Sequence, residues 1–327
     1  MLANRYVLIE AMSSGRIPAA RSLIALSGLS LLWALDSLRG DLFPNLFHPD
    51  SSLPPFESLG LHWGLLAAGA AIAAVVRRSG RPGARLVVEW TLLGIALFAA
   101  PGLILETVAS HVPQLTRVAL FALTPCFAVV LEPYLGVPDR ELPRHGLPAA
   151  LTALAGVLLL FPFELPSTPA QAAGFVAVVL AALLVAAAGC RAVRAANEFD
   201  SVAPCAAWAA AAASVVFLAA CLISEPTQGV AAAIAPQAIW SLLLDLPALL
   251  LFFWLLRRVT AAQHAMRLIL APLFTSLLSL ILFLPPVSLR AAAGLALMVA
   301  GAAWMLWPMR HRSGRPESLS FFAEIKD

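Results

Sequence analysis

Charge is what this sequence has least of. Of its 327 residues only 12% are Asp, Glu, Lys or Arg, against 61% apolar, and mean hydropathy is +0.88. A water-soluble chain carries about a quarter charged residues. Soluble enzymes, secreted disulfide scaffolds and disordered proteins are therefore excluded, and lipid is the expected solvent. Lysine is almost missing: Lys326 stands alone among 21 basic residues. That excludes a lysine Schiff base or phosphate clamp in the body of the chain. The four cysteines, Cys126, Cys190, Cys205 and Cys221, lie in apolar runs without a C-x-x-C pair or a neighbouring His, so they read as small buried hydrophobes. No basic face with interleaved aromatics appears, and nucleic acid is not an expected partner. Nor is there a Walker motif, an Asp-rich pair, H-E-x-x-H or G-x-S-x-G. ATP is not expected to drive the protein directly, and neither enzymatic chemistry nor a cofactor is expected.

Long apolar runs are abundant. A helix needs about 20 apolar residues to cross ~30 Å of hydrocarbon. That ruler predicts an all-α polytopic membrane protein of ten spans: 22–38, 62–76, 86–105, 113–134, 146–163, 170–190, 202–223, 237–256, 261–284 and 291–308. Pro and Gly cluster between spans, as in Ser79-Gly80-Arg81-Pro82-Gly83, and no span shows the period-two alternation of a barrel strand. The first apolar run ends in Leu35-Asp36-Ser37-Leu38-Arg39 without a small-x-small cleavage site, so it reads as a retained span. With the N-terminus inside, 17 of the 21 basic residues fall in cytoplasmic segments, which predicts both termini cytoplasmic. Seven tryptophans, Trp63, Trp90, Trp208, Trp240, Trp254, Trp304 and Trp307, fall near span ends, where interfacial anchoring accounts for them; Trp33 sits mid-span.

The halves echo each other. Val112 precedes Pro125 by 13 residues, as Val259 precedes Pro272, at an offset of 147; Gly156 matches Gly301 at 145 and Pro162 matches Pro308 at 146. Five spans per copy is an odd number, so the second copy crosses the membrane in the opposite sense. The expected units are a cytoplasmic segment 1–21, a first five-helix repeat 22–163, a second, inverted five-helix repeat 170–308, and a cytoplasmic tail 309–327. Within the first repeat, 40–61 reads as a long outer loop. An inverted repeat places a binding site near the midplane between the halves.

Leu32-Trp33-Ala34, the run Leu105-Glu106-Thr107-Val108-Ala109-Ser110 leading to Pro125-Cys126-Phe127, and the run from Leu255 to Ala262 leading to Pro272-Leu273-Phe274 resemble motifs of the drug/metabolite transporter superfamily, EamA type. The resemblance covers about 22–308. It implies a ten-helix secondary transporter of the cell (cytoplasmic, inner) membrane, exporting a small polar or amphipathic metabolite by alternating access through a central cavity. The alternative is a flippase, or a membrane assembly subunit that binds a protein partner through 40–61 or the tail. The Gly-Glu that usually closes spans four and nine is replaced by Leu135-Gly136-Val137-Pro138 and Leu284-Pro285-Pro286-Val287.

Charge inside hydrocarbon is costly enough to mark function. The ionisable residues placed within spans are Asp36, Glu89, Arg117, Glu132, Asp245, His264 and Arg267. Glu89 and Glu132 lie near span ends and read as water-reaching. The offset pairs Arg117 with His264, and Arg267 shares a helical face with His264. Those basic positions suit an anionic or zwitterionic metabolite, or are helix-end arginines that snorkel. Asp245, the deepest carboxylate, precedes Pro247 by two residues; it forms either a proton site or a salt bridge to Arg117 or Arg267. Asp36, one turn from Trp33, lines an outer vestibule with it or lies at the interface. Trp33, Asp36, Arg117, Asp245, His264 and Arg267 are thus the candidate binding or gating residues. Pro125 and Pro272 are candidate hinges. His48, His62 and His145 read as loop residues.

Overall fold

The structure, a computed structural model, describes residues 21–42, 54–79, 83–136, 146–161, 163–198, 201–224, 240–284 and 286–306. The N-terminal segment before 21, residues 43–53 of the expected outer loop, and the tail lie outside the described residues. The described residues hold helices and no strand. The helices are α1 (21–37), α2 (Pro55–Val76), α3 (Ala84–Thr107), α4 (Gln114–Leu135), α5 (Gly146–Leu160), α6 (Pro169–Ala196), α7 (Val202–Ser224), α8 (Ser241–Leu256), α9 (Ala261–Phe283) and α10 (Leu289–Leu306). Seven of them, α2, α3, α4, α6, α7, α9 and α10, are long and apolar enough to cross a membrane, while α5 and α8 are shorter apolar helices. The chain is a multi-pass membrane protein. Large apolar side chains such as Ile72, Val76, Leu222, Ile223 and Leu289 lie open on its outside, an arrangement that lipid tolerates and water does not.

α2 begins earlier than its apolar pattern shows. Pro55 at the first helical position, where a missing N–H costs nothing, starts the helix seven residues before His62. Residues 55–61 of the expected loop are therefore helix, and Glu57 is buried in the first turn.

Small residues set the helix pairs. α5 and α10 run antiparallel in close contact: a Cβ on Gly156 would lie 2.6 Å from the Gly294 carbonyl oxygen, and one on Gly301 would lie 2.4 Å from the Ala153 nitrogen. α2 and α7 also run antiparallel, with the Ser214 hydroxyl donating to the Gly60 carbonyl at 2.7 Å. Without a hydrophobic driving force between helices in lipid, such backbone approach supplies the packing attraction. α3 lies parallel to α7, where Gly94 faces the Ala209 backbone and Gly102 faces Phe217. Ser79 and Ser201 meet at 2.7 Å, and Glu89 meets Arg191 at 2.8 Å. The segment ends bearing Arg77, Arg85 and Arg191 thus gather at one end of the bundle.

Two helices widen into π-turns, Ile95–Ala99 in α3 and Ser241–Asp245 in α8. Each is followed by a proline two residues on, Pro101 or Pro247, whose missing N–H leaves the carbonyl four residues back without its helical donor. The wider turn re-pairs the ladder, with Ala100 donating to Ile95 and Leu246 to Ser241. Both turns and both prolines are related by an offset of 146 residues. Pro101 had not stood out in the sequence.

Gly156→Ala or Gly301→Ala is expected to push α5 from α10 at a cost of about 1–3 kcal/mol, read as a lower thermal unfolding midpoint in detergent. Gly189→Ala, where an added methyl meets nothing within 4 Å, is expected to leave the midpoint unchanged or slightly higher.

Candidate functional site

Three candidates from sequence come together. Arg267, in α9, is 5% exposed. Its guanidinium carbon lies 4.7 Å from the Phe252 ring centroid and 5.6 Å from that of Trp33. One guanidinium nitrogen donates both to His264 Nδ1 at 2.7 Å and to the His264 carbonyl at 2.9 Å. Arginine has no acceptor, so Nδ1 must accept; His264 Nε2 then donates to the Phe252 carbonyl at 3.3 Å. Those two contacts define a single imidazole tautomer. Among the described residues no carboxylate forms an ion pair with Arg267, and its Nε is buried without a hydrogen-bond partner. The result is a buried cation stacked on rings from α1 and α8, where, among the described residues, aromatic faces and dipoles are what meet its charge.

Asp245 heads a second group. It closes the α8 π-turn, is 6% exposed, and its Oδ2 has no hydrogen-bond partner. Neither Arg117 nor Arg267 pairs with it, contrary to the salt bridge weighed from sequence; its nearest opposite group is His62 Nδ1 at 3.6 Å. The same nitrogen lies 3.0 Å from the hydroxyl of Ser241, which is fully buried one turn before Asp245. His62 is thus a half-buried residue of α2, not a loop residue. Its isolated position beside a proline-rich stretch gave no sequence signal; only the α2–α8 packing brings it in. Asp36 accepts from Arg39 at 3.3 Å and from Trp240 Nε1 at 2.9 Å, with about a third of its side chain exposed. It belongs to this second group and not to the Trp33 ring contact.

Arg117 stands apart, donating to the Leu105 carbonyl at 2.8 Å. Its offset partner His264 lies in the Arg267 cluster, so no symmetric pair of basic side chains forms. Glu132 is not water-reaching. It is 6% exposed and accepts from the Ala261 and Ala262 amides at 2.9 and 3.2 Å, gripping the first turn of α9. Thr260 and Gln263 add a reciprocal capping box there, a signature the sequence carried as Thr-x-x-Gln. Trp90 is not an interfacial anchor either: it is 1% exposed and packs on Phe253 at 5.3 Å. Trp63 likewise packs inward on Phe98 at 4.5 Å.

The expected hinge prolines differ from each other. At Pro125 the helix is interrupted over 122–123, and the Thr124 hydroxyl donates to the Phe121 carbonyl that the proline leaves open. Pro272 lies inside the unbroken stretch Arg267–Phe283, and the interruption in α9 falls earlier, at Met266. The repeated irregularity is the pair of π-turns, one ahead of Pro101 and one ahead of Pro247.

No protein-family model matches this chain, and no curated protein sequence does. A solved crystal structure covers 88% of this chain and 97% of its own with a TM-score of 0.72, at 18% sequence identity. At that identity the likeness is one of fold.

Glu132→Ala strips two buried amides of their acceptor and is expected to cost about 1–3 kcal/mol, seen as a lower unfolding midpoint. Glu132→Gln, which keeps one carbonyl oxygen, is expected to lose less.

Proposed function

We propose that the protein is a secondary transporter of the cytoplasmic membrane, built as two inverted five-helix halves with both termini inside, and related to the drug/metabolite transporters. Several observations support the inverted arrangement. The helices related by the internal offset, α2 with α7 and α5 with α10, run antiparallel against each other, and the π-turn with its proline recurs at 146 residues. The π-turns are the natural flexing points, because their backbone already departs from the regular ladder.

The observation that carries the reading is Arg267. An arginine buried at the membrane's depth without a carboxylate is costly to keep. A carrier has reason to keep it: a substrate carboxylate or phosphate supplies the missing anion, and Trp33 and Phe252 take the apolar part of the same molecule. The substrate class is therefore an anionic or zwitterionic amphipathic metabolite. The Glu132 carboxylate ties α4 to the first turn of α9, and in this reading release of that tie is the step that opens the site to the cytoplasm.

The His62–Ser241–Asp245 group is the coupling site. The equivalent π-turn in α3 carries Ile95 and Ala99 in an apolar cluster with Phe217. Only one half thus holds an ionisable group at its flexing point, and a proton taken up there biases one of the two states.

A thermal-shift screen of the detergent-solubilised protein against aromatic and aliphatic carboxylates, organic phosphates and amino acids tests the binding claim. At a concentration of 100 Kd a true ligand stabilises by about 2.7 kcal/mol. That shift is expected for an anionic member of the set and is expected to vanish in Arg267→Gln and weaken in Trp33→Ala. A ligand shift that survives Arg267→Gln removes this site. In proteoliposomes loaded with the compound so identified, Asp245→Asn is expected to abolish pH-driven accumulation while sparing one-for-one exchange. Unchanged accumulation rules out Asp245 as the coupling group.

A further inference from the structure

α3 and α6 form a wedge. At one end they are tightly joined, where Gly174 of α6 admits Val108 and Val112, the residues just after α3. Toward the arginine-rich end they part, and a cleft of about 500 Å³ opens between them. It runs along α3 from Arg85 to Ala96. The eleven steps from Arg85 to Ala96, at 1.5 Å each, make ~16 Å, about half of a ~30 Å hydrocarbon core. The cleft therefore spans one leaflet. Its outer rim, Val88 and Leu92, is 58% and 61% exposed, while its floor, Leu93 and Ala188, is 6% exposed. The void persists because, between Leu184 and Arg191, α6 lines it with Ala187 and Ala188, side chains too small to fill the gap to α3.

The polar end of the cleft has a charge of one sign to spare. Arg191 lies 2.8 Å from Glu89, which leaves Arg85, exposed at the mouth, as the second cation against a single carboxylate. A neutral lipid would bury its chain but leave that charge unanswered; an anionic one satisfies both ends of the cleft. We propose that this cleft is a binding site for an anionic phospholipid of the leaflet at the arginine-rich end, one acyl chain lying in the wedge and the phosphate headgroup on Arg85 and Arg191. The site is separate from the Arg267 cluster and stands whether or not the protein is a transporter.

Native mass spectrometry of the full-length protein tests this. The protein, released from micelles, is titrated with phosphatidylglycerol or with phosphatidylcholine of the same chains. One phosphatidylglycerol is expected to be retained at roughly fivefold higher occupancy, the ratio that ~1 kcal/mol for one surface arginine gives at 1.4 kcal/mol per decade. Arg85→Ala is expected to remove that preference. Ala188→Trp, which fills the wedge, is expected to lower retention of both lipids, and a tenfold excess of glycerol phosphate is expected to leave retention unchanged. Equal retention of the two lipids by the wild-type protein overturns the proposal. So does an equal loss on Arg77→Ala, which would mean unspecific attraction to the basic end, or displacement by glycerol phosphate, which would mean a soluble-anion site. Because Arg85 is exposed, its replacement leaves the fold intact and the comparison readable.

Discussion

Hydrocarbon offers no water to a polar group, and that constraint organises the whole molecule. Each charge or backbone donor held at depth must find its partner within the protein. The Glu132 carboxylate answers two amides of α9, the Ser214 hydroxyl answers Gly60, and the Thr124 hydroxyl answers the carbonyl that Pro125 orphans. Against that background two unanswered groups bear on the candidate site. The Asp245 Oδ2 and the Arg267 Nε are both buried without a hydrogen bond, and they lie in separate clusters. They share that condition with a few other buried atoms, among them Glu57 Oε2, Thr116 Oγ1 and Arg117 Nε, but these two sit in clusters that join several helices through aromatic or ionisable side chains.

The two π-turns share a backbone geometry and differ in their surroundings. The proline-coupled π-turn occurs in both α3 and α8, so the geometry of bending is common to them. Its surroundings are not: Ser241 and Asp245 face His62 in one half, whereas Ile95 and Ala99 face Phe217 in the other. The same inequality holds at the offset-related pair Arg117 and His264, one tied to a carbonyl of α3 and the other to the stacked Arg267.

Much of the fold was legible. Apolar runs long enough to span a membrane, small-residue stripes and Pro/Gly punctuation located the helices, because in lipid a span announces itself by composition alone. The start of α2 was not legible, since Pro55, Phe56 and Glu57 look like loop chemistry; the helix begins there because Pro at its first position costs no hydrogen bond. Trp33, His264 and Arg267 were named from depth and helical spacing. His62 was missed because its partner Asp245 lies 183 residues away and on another helix. Trp90 and Trp63 were misjudged as anchors because position near a span end does not tell which way a ring turns.

The amino-acid sequence alone determined that the chain lives in lipid, that it crosses the bilayer many times, and which few ionisable side chains lie at depth. These follow from counts and lengths, which need no knowledge of neighbours. Only the tertiary structure decided which of those side chains meet. It set Arg267 between two rings, turned Asp245 toward His62, and gave Glu132 to the start of α9. Partnership across helices depends on crossing geometry and on the direction each side chain leaves its helix, and a linear pattern of apolar residues carries neither.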